Sequence, residues 1–245
     1  MKLKVLGSNS SGNCYILEND TEALIIEAGV HFHDVKIALN FNIAKVVALL
    51  VSHEHGDHGM YAKHMAAEGI PVLGSKGTLT ALNITQGRTH PLQAYKTAKT
   101  GRFSIMPFNV IHDCSEPFGY IINHPETGNV VFATDTRELP VTFDGLNNIL
   151  IEANFSEEIV AYNIRNEQLS PAQQRRTENS HMSLEQCITT LKENDLSAVN
   201  NIVLIHLSSG NANAEQFKRR VEQETGKTVS VATKGLEINF NKTPF

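Results

Sequence analysis

Residues 52–58 read SHEHGDH, so His53, His55, Asp57 and His58 fall within six residues. The run VVALLV at 46–51 leads directly into this stretch and predicts a buried strand, because it contains no polar residue. Most residues from 58 to about 68 are good helix formers, and glycines at 56 and 59 give the backbone freedom to turn. The sequence therefore predicts a tight strand-to-helix turn that carries four polar side chains.

The pattern of these four side chains indicates a metal site. On extended chain, His53, His55 and Asp57 share one side, and His58 can turn towards the same point from the start of the helix. Neutral imidazole and carboxylate are common ligands of divalent metals such as zinc. Four such groups exceed what one tetrahedral ion uses while it keeps an open position, so we expect two adjacent ions. A solvated polar turn is the alternative, and the density of ligands after a buried strand disfavours it.

This HxHxDH pattern resembles the signature of the metallo-β-lactamase superfamily. The resemblance implies an α+β fold of four layers, αββα, in which two mixed β-sheets pack face to face between helices. The predicted strands come in two batches, each with its own helices, as two packed sheets would require. We expect a single domain over residues 1–245, with a mobile excursion in the polar segment around 163–180. The polar segment 86–100 is expected to be a solvated loop.

The composition is that of a soluble globular chain, with 41% hydrophobic and 19% charged residues. Three widely separated cysteines without a CxxC pair indicate neither a disulfide framework nor a structural zinc knuckle, which fits a reducing cytosol. The first residues lack the apolar region of a signal peptide, and no stretch is long enough to cross a membrane. We therefore expect a cytoplasmic protein. The net charge of −5 argues against non-specific binding to nucleic acid.

Further polar residues stand where predicted strands end, which is where a rigid scaffold presents ligands. Each of them alone could be an ordinary polar residue at a strand end. The superfamily resemblance implies two divalent ions, zinc or manganese with iron possible, about 3.5–4 Å apart. It assigns the ligands as His53, His55 and His112 for one ion, Asp57, His58 and His206 for the other, and Asp135 as the bridge. His31 and His33 are expected to lie on the surface or to support the site from outside it.

Two bound ions define the expected chemistry. A water held between them has its pKa lowered from about 16 to about 7, so metal-bound hydroxide is available as a nucleophile at neutral pH. Asp57 is expected to orient this nucleophile. Hydrolysis is then the default reaction, and it requires neither a serine nor a cysteine nucleophile.

Other motifs narrow the resemblance to the YycJ/WalJ-like exonuclease branch, whose neighbours are tRNase Z-type ribonucleases and PhnP-like phosphodiesterases. The chain departs from the usual pattern at Glu27, where the family has Asp, and at Arg137, where Gly is common; neither departure removes a ligand. The motifs that carry the resemblance are SNSSGNCY at 8–15, HD at 112–113, EPFGY at 116–120, TDT at 134–136, ILIEAN at 149–154, HMS at 181–183 and HLS at 206–208.

His181 favours phosphodiester substrates. In tRNase Z-like relatives, a histidine in a similar His-x-Ser/Thr setting serves phosphodiester cleavage, which implies that His181 contacts the phosphate or protonates the leaving oxygen. A surface histidine at a helix start is the alternative. Arg175 and Arg176 lie a few residues earlier and match phosphate geometry, so they are candidate phosphate-binding residues, although an exposed pair is often only solvated.

We therefore expect a dinuclear metal-dependent phosphodiesterase, a nuclease that acts on DNA in preference to RNA. The alternative is a hydrolase of a small molecule such as a cyclic phosphodiester, a lactone or a thioester. The acidic net charge and the absence of tryptophan as a stacking residue keep this alternative open. A catalytically silent binding module of the same fold is a third hypothesis, against which the complete ligand set argues.

Overall fold

The first sheet carries the SHEHGDH turn. The structure is a computed structural model, and it describes residues 1–84 and 88–244. The strands of this sheet are β1 (Lys2–Gly7), β2 (Cys14–Glu18), β3 (Ala23–Ile26), β4 (Val46–Leu50), β5 (Val72–Ser75), β6 (Thr89–Leu92) and β14 (Glu237–Asn239). They lie in the order β14-β1-β2-β3-β4-β5-β6. The pairs from β3 to β6 are parallel and the others are antiparallel, so the sheet is mixed.

The second sheet is also mixed and also has seven strands. They are β7 (Ala98–Thr100), β8 (Phe103–Asn109), β9 (Phe118–His124), β10 (Gly128–Ala133), β11 (Leu146–Glu152), β12 (Asn201–Ile205) and β13 (Val229–Val231). Their order is β13-β12-β11-β10-β9-β8-β7, with parallel pairs from β10 to β13 and antiparallel pairs from β7 to β10.

The helices are α1 (Phe32–Ala38), α2 (Gly56–Gly59), α3 (Ala62–Ala67), α4 (Lys76–Ala81), α5 (Glu157–Arg165), α6 (Pro171–Ser180), α7 (Leu184–Lys192) and α8 (Ala214–Thr225), with a 3-10 turn at Ile43–Lys45. Of these, α1, α3 and α4 pack on the outer face of the first sheet, and α7 and α8 on the outer face of the second. None of the helices within the described ranges has the length and hydropathy that crossing a bilayer requires.

Burial on both faces explains why the central strands are apolar throughout. In β2, Tyr15 and Leu17 face the core between the sheets, whereas Cys14 and Ile16 face the core beneath α1 and α3. Successive side chains of a strand point to opposite faces, so a strand in the middle of four layers has no solvated face. The predicted α+β fold of four layers, two mixed sheets between helices, is confirmed.

Three local predictions need correction or refinement. The segment 86–100 is not simply a loop, because it contributes the edge strands β6 and β7; residues 86 and 87 lie outside the described part of the chain. Edge strands pair on one side only and expose polar side chains, which is why their composition resembled that of a loop. The helix expected from residue 58 is divided into α2 and α3. The segment 163–180 contains α6, which starts with a Ser170–Gln173 capping box and Pro171; its mobility stays a prediction.

Candidate metal centre

The candidate site lies at one edge of the molecule, where the carboxyl ends of five strands meet. Strands β4 and β8 lead into residues 52–58 and His112, while β10, β11 and β12 lead into Asp135, Glu152 and His206. Parallel orientation brings these strand ends to the same edge. This explains how residues far apart in sequence converge.

Three residues that follow strands β3, β10 and β12 have left-handed backbone conformations. The φ angles of Glu27, Asp135 and His206 are 66°, 43° and 55°. Such values are uncommon for residues other than glycine, and each costs of the order of 1–3 kcal/mol. Each residue directs a polar side chain into the site and is buried. Backbone strain of this kind clusters at functional sites, which supports a functional role for this edge.

A first group of possible ligands comprises His53, His55, His112 and Asp135, which offer one atom each within 4.8 Å of one another. His55 Nδ1 and His112 Nε2 are 3.1 Å apart. Asp135 Oδ2 lies 3.6 Å from His53 Nε2 and 3.5 Å from His112 Nε2. Three imidazole nitrogens and one carboxylate oxygen therefore surround a common point.

A second group comprises Asp57, His58 and His206, again within 4.8 Å. Asp57 Oδ2 lies 3.3 Å from His58 Nε2 and 3.2 Å from His206 Nε2. The same Asp135 Oδ2 that faces the first group is 3.4 Å from His58 Nε2. Asp135 thus stands between the groups, and all seven predicted ligands lie together.

The chemistry of this donor set fits divalent cations. His53 Nε2 is buried and has no hydrogen-bond partner among the described residues. Leaving a buried polar atom unpaired is costly, so such an atom calls for a further partner. Imidazole nitrogens and carboxylate oxygens that converge in this way are suitable ligands for zinc, manganese or iron. The residues present therefore fit the group that the fold family implies.

Contacts to the outer ring nitrogens orient the histidines. His53 Nδ1 lies 2.8 Å from Ser52 Oγ, and His58 Nδ1 lies 3.2 Å from Glu27 Oε2. His112 Nδ1 donates to the Ser180 carbonyl at 2.9 Å, and His206 Nδ1 donates to a carboxylate of Glu152 at 3.0 Å. Each contact leaves Nε2 pointing inward, as metal-binding histidines require. Glu27 reaches its histidine although the family usually has the shorter Asp, so the departure preserves this support.

Electrostatic interactions fix the charges of the site. Burial lowers the pKa of His53 well below its ordinary value. Burial opposes the protonated form of His58 and His206 too, but the Asp135 charge raises the pKa of both rings well above the usual value. Burial would raise the pKa of Asp57, yet hydrogen bonds from His206 and His58 hold it well below its ordinary range. The carboxylates at the centre are therefore ionised and available to cations.

Close packing holds the SHEHGDH turn against the loops that follow β1 and β3. The amide of Asn13 donates to the Asp57 carbonyl at 2.7 Å. A Cβ atom added to Gly29 would lie 1.8 Å from the Asp57 carbonyl oxygen and 2.5 Å from the Asn13 nitrogen. Only glycine permits this approach, so Gly29 positions the turn that carries Asp57.

His181 lies beside the two groups. Its ring centroid is 5.5 Å from that of His112 and 5.4 Å from that of His206. His181 Nδ1 donates to Glu152 Oε1 at 2.7 Å and lies 4.0 Å from Asp135 Oδ2. Burial alone would lower the pKa of His181, but the Glu152 charge raises it. His181 is thus a fixed part of the site and is not a freely solvated histidine.

Glu152 was not among the functional residues inferred from sequence. It is fully buried and accepts hydrogen bonds from His181, from His206 and from the amides of Thr136 and Met182, at 2.7–3.2 Å. The signal available in the sequence is its position at the end of the apolar run ILI, the same position that singled out Asp135. Glu152 ties two histidines to one carboxylate.

Arg175 and Arg176 are both exposed on α6. Neither lines the cavity of about 590 Å³ that His181 lines, to which α6 contributes Gln174, Glu178 and Asn179 instead. The arginine that does line this cavity is Arg137, one of the two residues that depart from the pattern of the family. The phosphate-binding role of Arg175 and Arg176 stays a prediction.

Comparisons with known proteins agree with this geometry. Residues 25–207 match a family model described as "Beta-lactamase superfamily domain". The chain is 25% identical over 244 residues to exodeoxyribonuclease YycJ of Bacillus anthracis, which covers 91% of this chain and 88% of that protein.

Two solved structures share the fold. One is a diphosphatase from the PhnP family, with a TM-score of 0.71, 16% identity and coverage of 98% of both chains. The other is the short form of human tRNase Z, with a TM-score of 0.67, 15% identity and coverage of 98% of this chain and 99% of that one. The match of three-quarters of the chain to one family model, together with these folds, leads to one assignment. This chain belongs to the beta-lactamase superfamily and has the metallo-β-lactamase fold.

Proposed function

We propose that this chain is a dinuclear metal-dependent hydrolase, a phosphodiesterase that acts on DNA. The observation that carries the proposal is the position of His181, which Glu152 holds 4.0 Å from the central Asp135 carboxylate. Hydrolysis of a phosphodiester needs a group that can hand a proton to the leaving oxygen, and His181 is such a group beside the possible ligands. The similarity to an exodeoxyribonuclease supports DNA as the substrate.

In this proposal two divalent ions, zinc or manganese, occupy the two groups of ligands. His53, His55 and His112 would hold one ion and Asp57, His58 and His206 the other, with Asp135, which faces both groups, shared between them. Bound divalent ions lower the pKa of water and polarise a phosphoryl oxygen. The remaining roles belong to side chains of the chain itself.

Asp57 and His181 are the two side chains that act on the attacking water and on the substrate. Asp57 Oδ2 is held at 3.2–3.3 Å by His206 and His58, which fixes the carboxylate where it can accept a hydrogen bond from the attacking water. His181 donates a hydrogen bond from Nδ1 to Glu152 and keeps that proton, so its Nε2 is left to contact the phosphate or protonate the leaving oxygen. Because Glu152 fixes the ring, His181 needs no reorganisation when the substrate binds.

A small phosphodiester is the second candidate substrate, and one observation favours it. The cavity that His181 lines contains Glu138, Glu157 and Glu178 but only one arginine, Arg137. Three carboxylates repel the phosphates of a long strand more than they repel a single phosphodiester. The resemblance in fold to a PhnP-family diphosphatase is compatible with this alternative.

Cleavage of end-labelled DNA, single-stranded and double-stranded, with added manganese or zinc tests the proposal. The His181→Ala protein should keep its ions but lose about 10²–10⁴-fold in rate, the usual contribution of general acid–base catalysis. His33→Ala, a change at an exposed histidine on α1, is the matched control and should cleave normally.

Two results would contradict the proposal in different ways. An unchanged rate for His181→Ala would remove the role given to that histidine. Wild-type protein that binds two ions but leaves all DNA intact would exclude the nuclease and direct the search to cyclic phosphodiesters, then to lactones and thioesters.

A further inference from the structure

A groove of about 620 Å³ lies next to the candidate metal centre and shares no lining residue with the cavity of His181. It adjoins the centre through backbone neighbours of the possible ligands. Tyr61 follows the helix that carries Asp57 and His58, and Leu207 follows His206. The His206 amide donates at 2.9 Å to the hydroxyl of Ser8, which lines the groove. The groove therefore lies at the same edge of the molecule as the centre.

Two aromatic rings from different elements form one wall of the groove. The ring centroids of His31 and Tyr61 are 4.4 Å apart, and the Tyr61 hydroxyl lies 3.0 Å from His31 Nε2. His31 is exposed, and the neighbouring Met60 is 62% exposed. We call His31 and Tyr61 the aromatic wall. Aromatic faces that are held in place and open to solvent are the usual platforms for nucleobases.

The charge of the groove suits a polyanion better than the charge of the other cavity does. Its charged residues are Asp34 and Lys234, which face each other at 3.5 Å and offset one another, while the remainder is a mixture of apolar residues, glycines and a few neutral polar side chains. The cavity of His181 has three glutamates against one arginine. A strand that carries a phosphate at every nucleotide meets less repulsion in the groove.

We propose that this groove binds a nucleobase of single-stranded DNA beside the scissile phosphate, with the base stacked on the aromatic wall. The proposal rests on the proposed function and specifies its substrate, because a base-stacking site selects nucleotides over phosphodiesters that lack a base. The stacking platform is invisible in the sequence, since His31 and Tyr61 are thirty positions apart and neither is a tryptophan.

Abasic substrates test the proposal on the full-length, metal-loaded protein. Single-stranded oligonucleotides carry one abasic residue on either the 5′ or the 3′ side of the scissile phosphate, and kcat and KM are compared with those of the intact strand. The wild-type protein should lose about tenfold in kcat/KM at one of the two positions, mostly through KM, since stacking on an aromatic ring contributes at least this much.

Variants of the aromatic wall locate the effect. His31→Ala should lose about the same factor on intact DNA but nothing more on the abasic strand, because both changes remove one interaction. His31→Phe, which keeps a ring, should recover most of the loss. Tyr162→Ala removes a ring that is 56% exposed on α5 and should behave as the wild type does. Ion content and Tm of each variant show that the centre is intact.

The outcomes separate the two proposals. If wild-type protein cleaves DNA but His31→Ala remains as sensitive to the abasic residue as the wild type, the base-binding groove is wrong and the nuclease stands. If the wild-type protein holds two ions and cleaves no DNA, the proposed function fails, and the groove assignment fails with it.

Discussion

Strand β3 has a buried glutamate at each end, and each glutamate faces a histidine. Glu22 precedes the strand and accepts from His124 Nε2 at 3.1 Å, while Glu27 follows it and lies 3.2 Å from His58 Nδ1. At the Glu22 end, the other nitrogen of His124 accepts from the Glu126 amide at 3.1 Å. At the Glu27 end, the other nitrogen of His58 faces the Asp57 and Asp135 carboxylates.

The difference distinguishes a structural histidine from a candidate ligand. Both rings are fully buried, so burial alone does not separate them. Both ring nitrogens of His124 are hydrogen-bonded within the protein, one to Glu22 and the other to the Glu126 amide. His58 points its outer nitrogen at Glu27 Oε2, 3.2 Å away, and turns its inner nitrogen towards the carboxylates of Asp57 and Asp135. His53 likewise turns Nε2 inward, and this nitrogen has no hydrogen-bond partner among the described residues. A buried histidine whose second ring nitrogen faces other potential ligand atoms is therefore a candidate metal ligand.

Exchanging each histidine for glutamine gives the largest expected contrast. His58→Gln should lose at least one ion and more than about 10³-fold in activity, because metal ions contribute several kcal/mol to hydrolysis and each 1.36 kcal/mol is tenfold in rate. His124→Gln should keep both ions and its activity, but lose about 1–3 kcal/mol of unfolding free energy, as expected for a buried hydrogen-bonded group.

Elemental analysis, hydrolysis rates and denaturant unfolding of both proteins measure this contrast. Equal loss of ions in the two variants would show that the two ends of β3 do not differ in the way proposed. Wild-type protein treated with a chelator should resemble His58→Gln in activity and recover when manganese or zinc is returned.

The two glutamates provide a second, smaller contrast. Glu27→Gln removes the carboxylate that orients His58, and should weaken metal binding by about 10–100-fold, the usual effect of losing such a partner. Glu22→Gln should leave metal affinity unchanged, because His124 makes no contact with the ligands. Competition with a fluorescent chelator measures both affinities. An unaltered affinity in Glu27→Gln would mean that the ring of His58 is held by its other contacts alone.

The smallest expected effect concerns a carboxylate far from the centre. Glu18 contacts Lys4 Nζ at 2.6 Å and Lys45 Nζ at 2.7 Å. Burial would raise the pKa of Glu18, but hydrogen bonds from both lysines hold it below its ordinary value. A carboxyl whose pKa is lower in the folded state stabilises the fold above its unfolded pKa of about 4.3, and this contribution is lost as the pH falls through the folded pKa.

Glu18→Gln should therefore lower the unfolding free energy by about 1 kcal/mol at pH 7, the upper range for ion pairs that are not deeply buried. The difference from the wild type should shrink below about pH 4 and disappear once Glu18 is protonated in both states. Urea unfolding between pH 3 and 7 measures it. A difference that persists at pH 3 would assign the effect to packing and not to charge.

Elements that are stabilised by their own apolar side chains could be predicted from the sequence, whereas elements stabilised by a neighbouring strand or a helix cap could not. The strand indicated by the apolar run at 46–51 was predicted and is present as Val46–Leu50, since its side chains are buried or half-buried in the core. The edge strand Ala98–Thr100 and the helix Pro171–Ser180 were not, because both are polar. The edge strand is stabilised by pairing with β8, and the helix is favoured by its capping box. Neither therefore needs an apolar pattern in order to form.

The same distinction applies to the candidate site. The predicted ligands come together because each follows a strand, and strand ends are readable in sequence; their roles stay predictions. Glu152 also ends an apolar run, but its role as the common partner of His181 and His206, 29 and 54 residues away, is visible only in the structure. The His31–Tyr61 contact spans 30 residues for the same reason. Contacts between side chains of distant segments leave no periodic signal in a sequence.

The left-handed backbone at Glu27, Asp135 and His206 has a consequence for protein engineering. Glycine at any of these positions would relieve backbone strain of roughly 1–3 kcal/mol but would also remove a buried, hydrogen-bonded side chain. Each such change would delete a proposed ligand or the support of one. A screen for heat resistance that includes these positions therefore needs a metal-binding readout at every round.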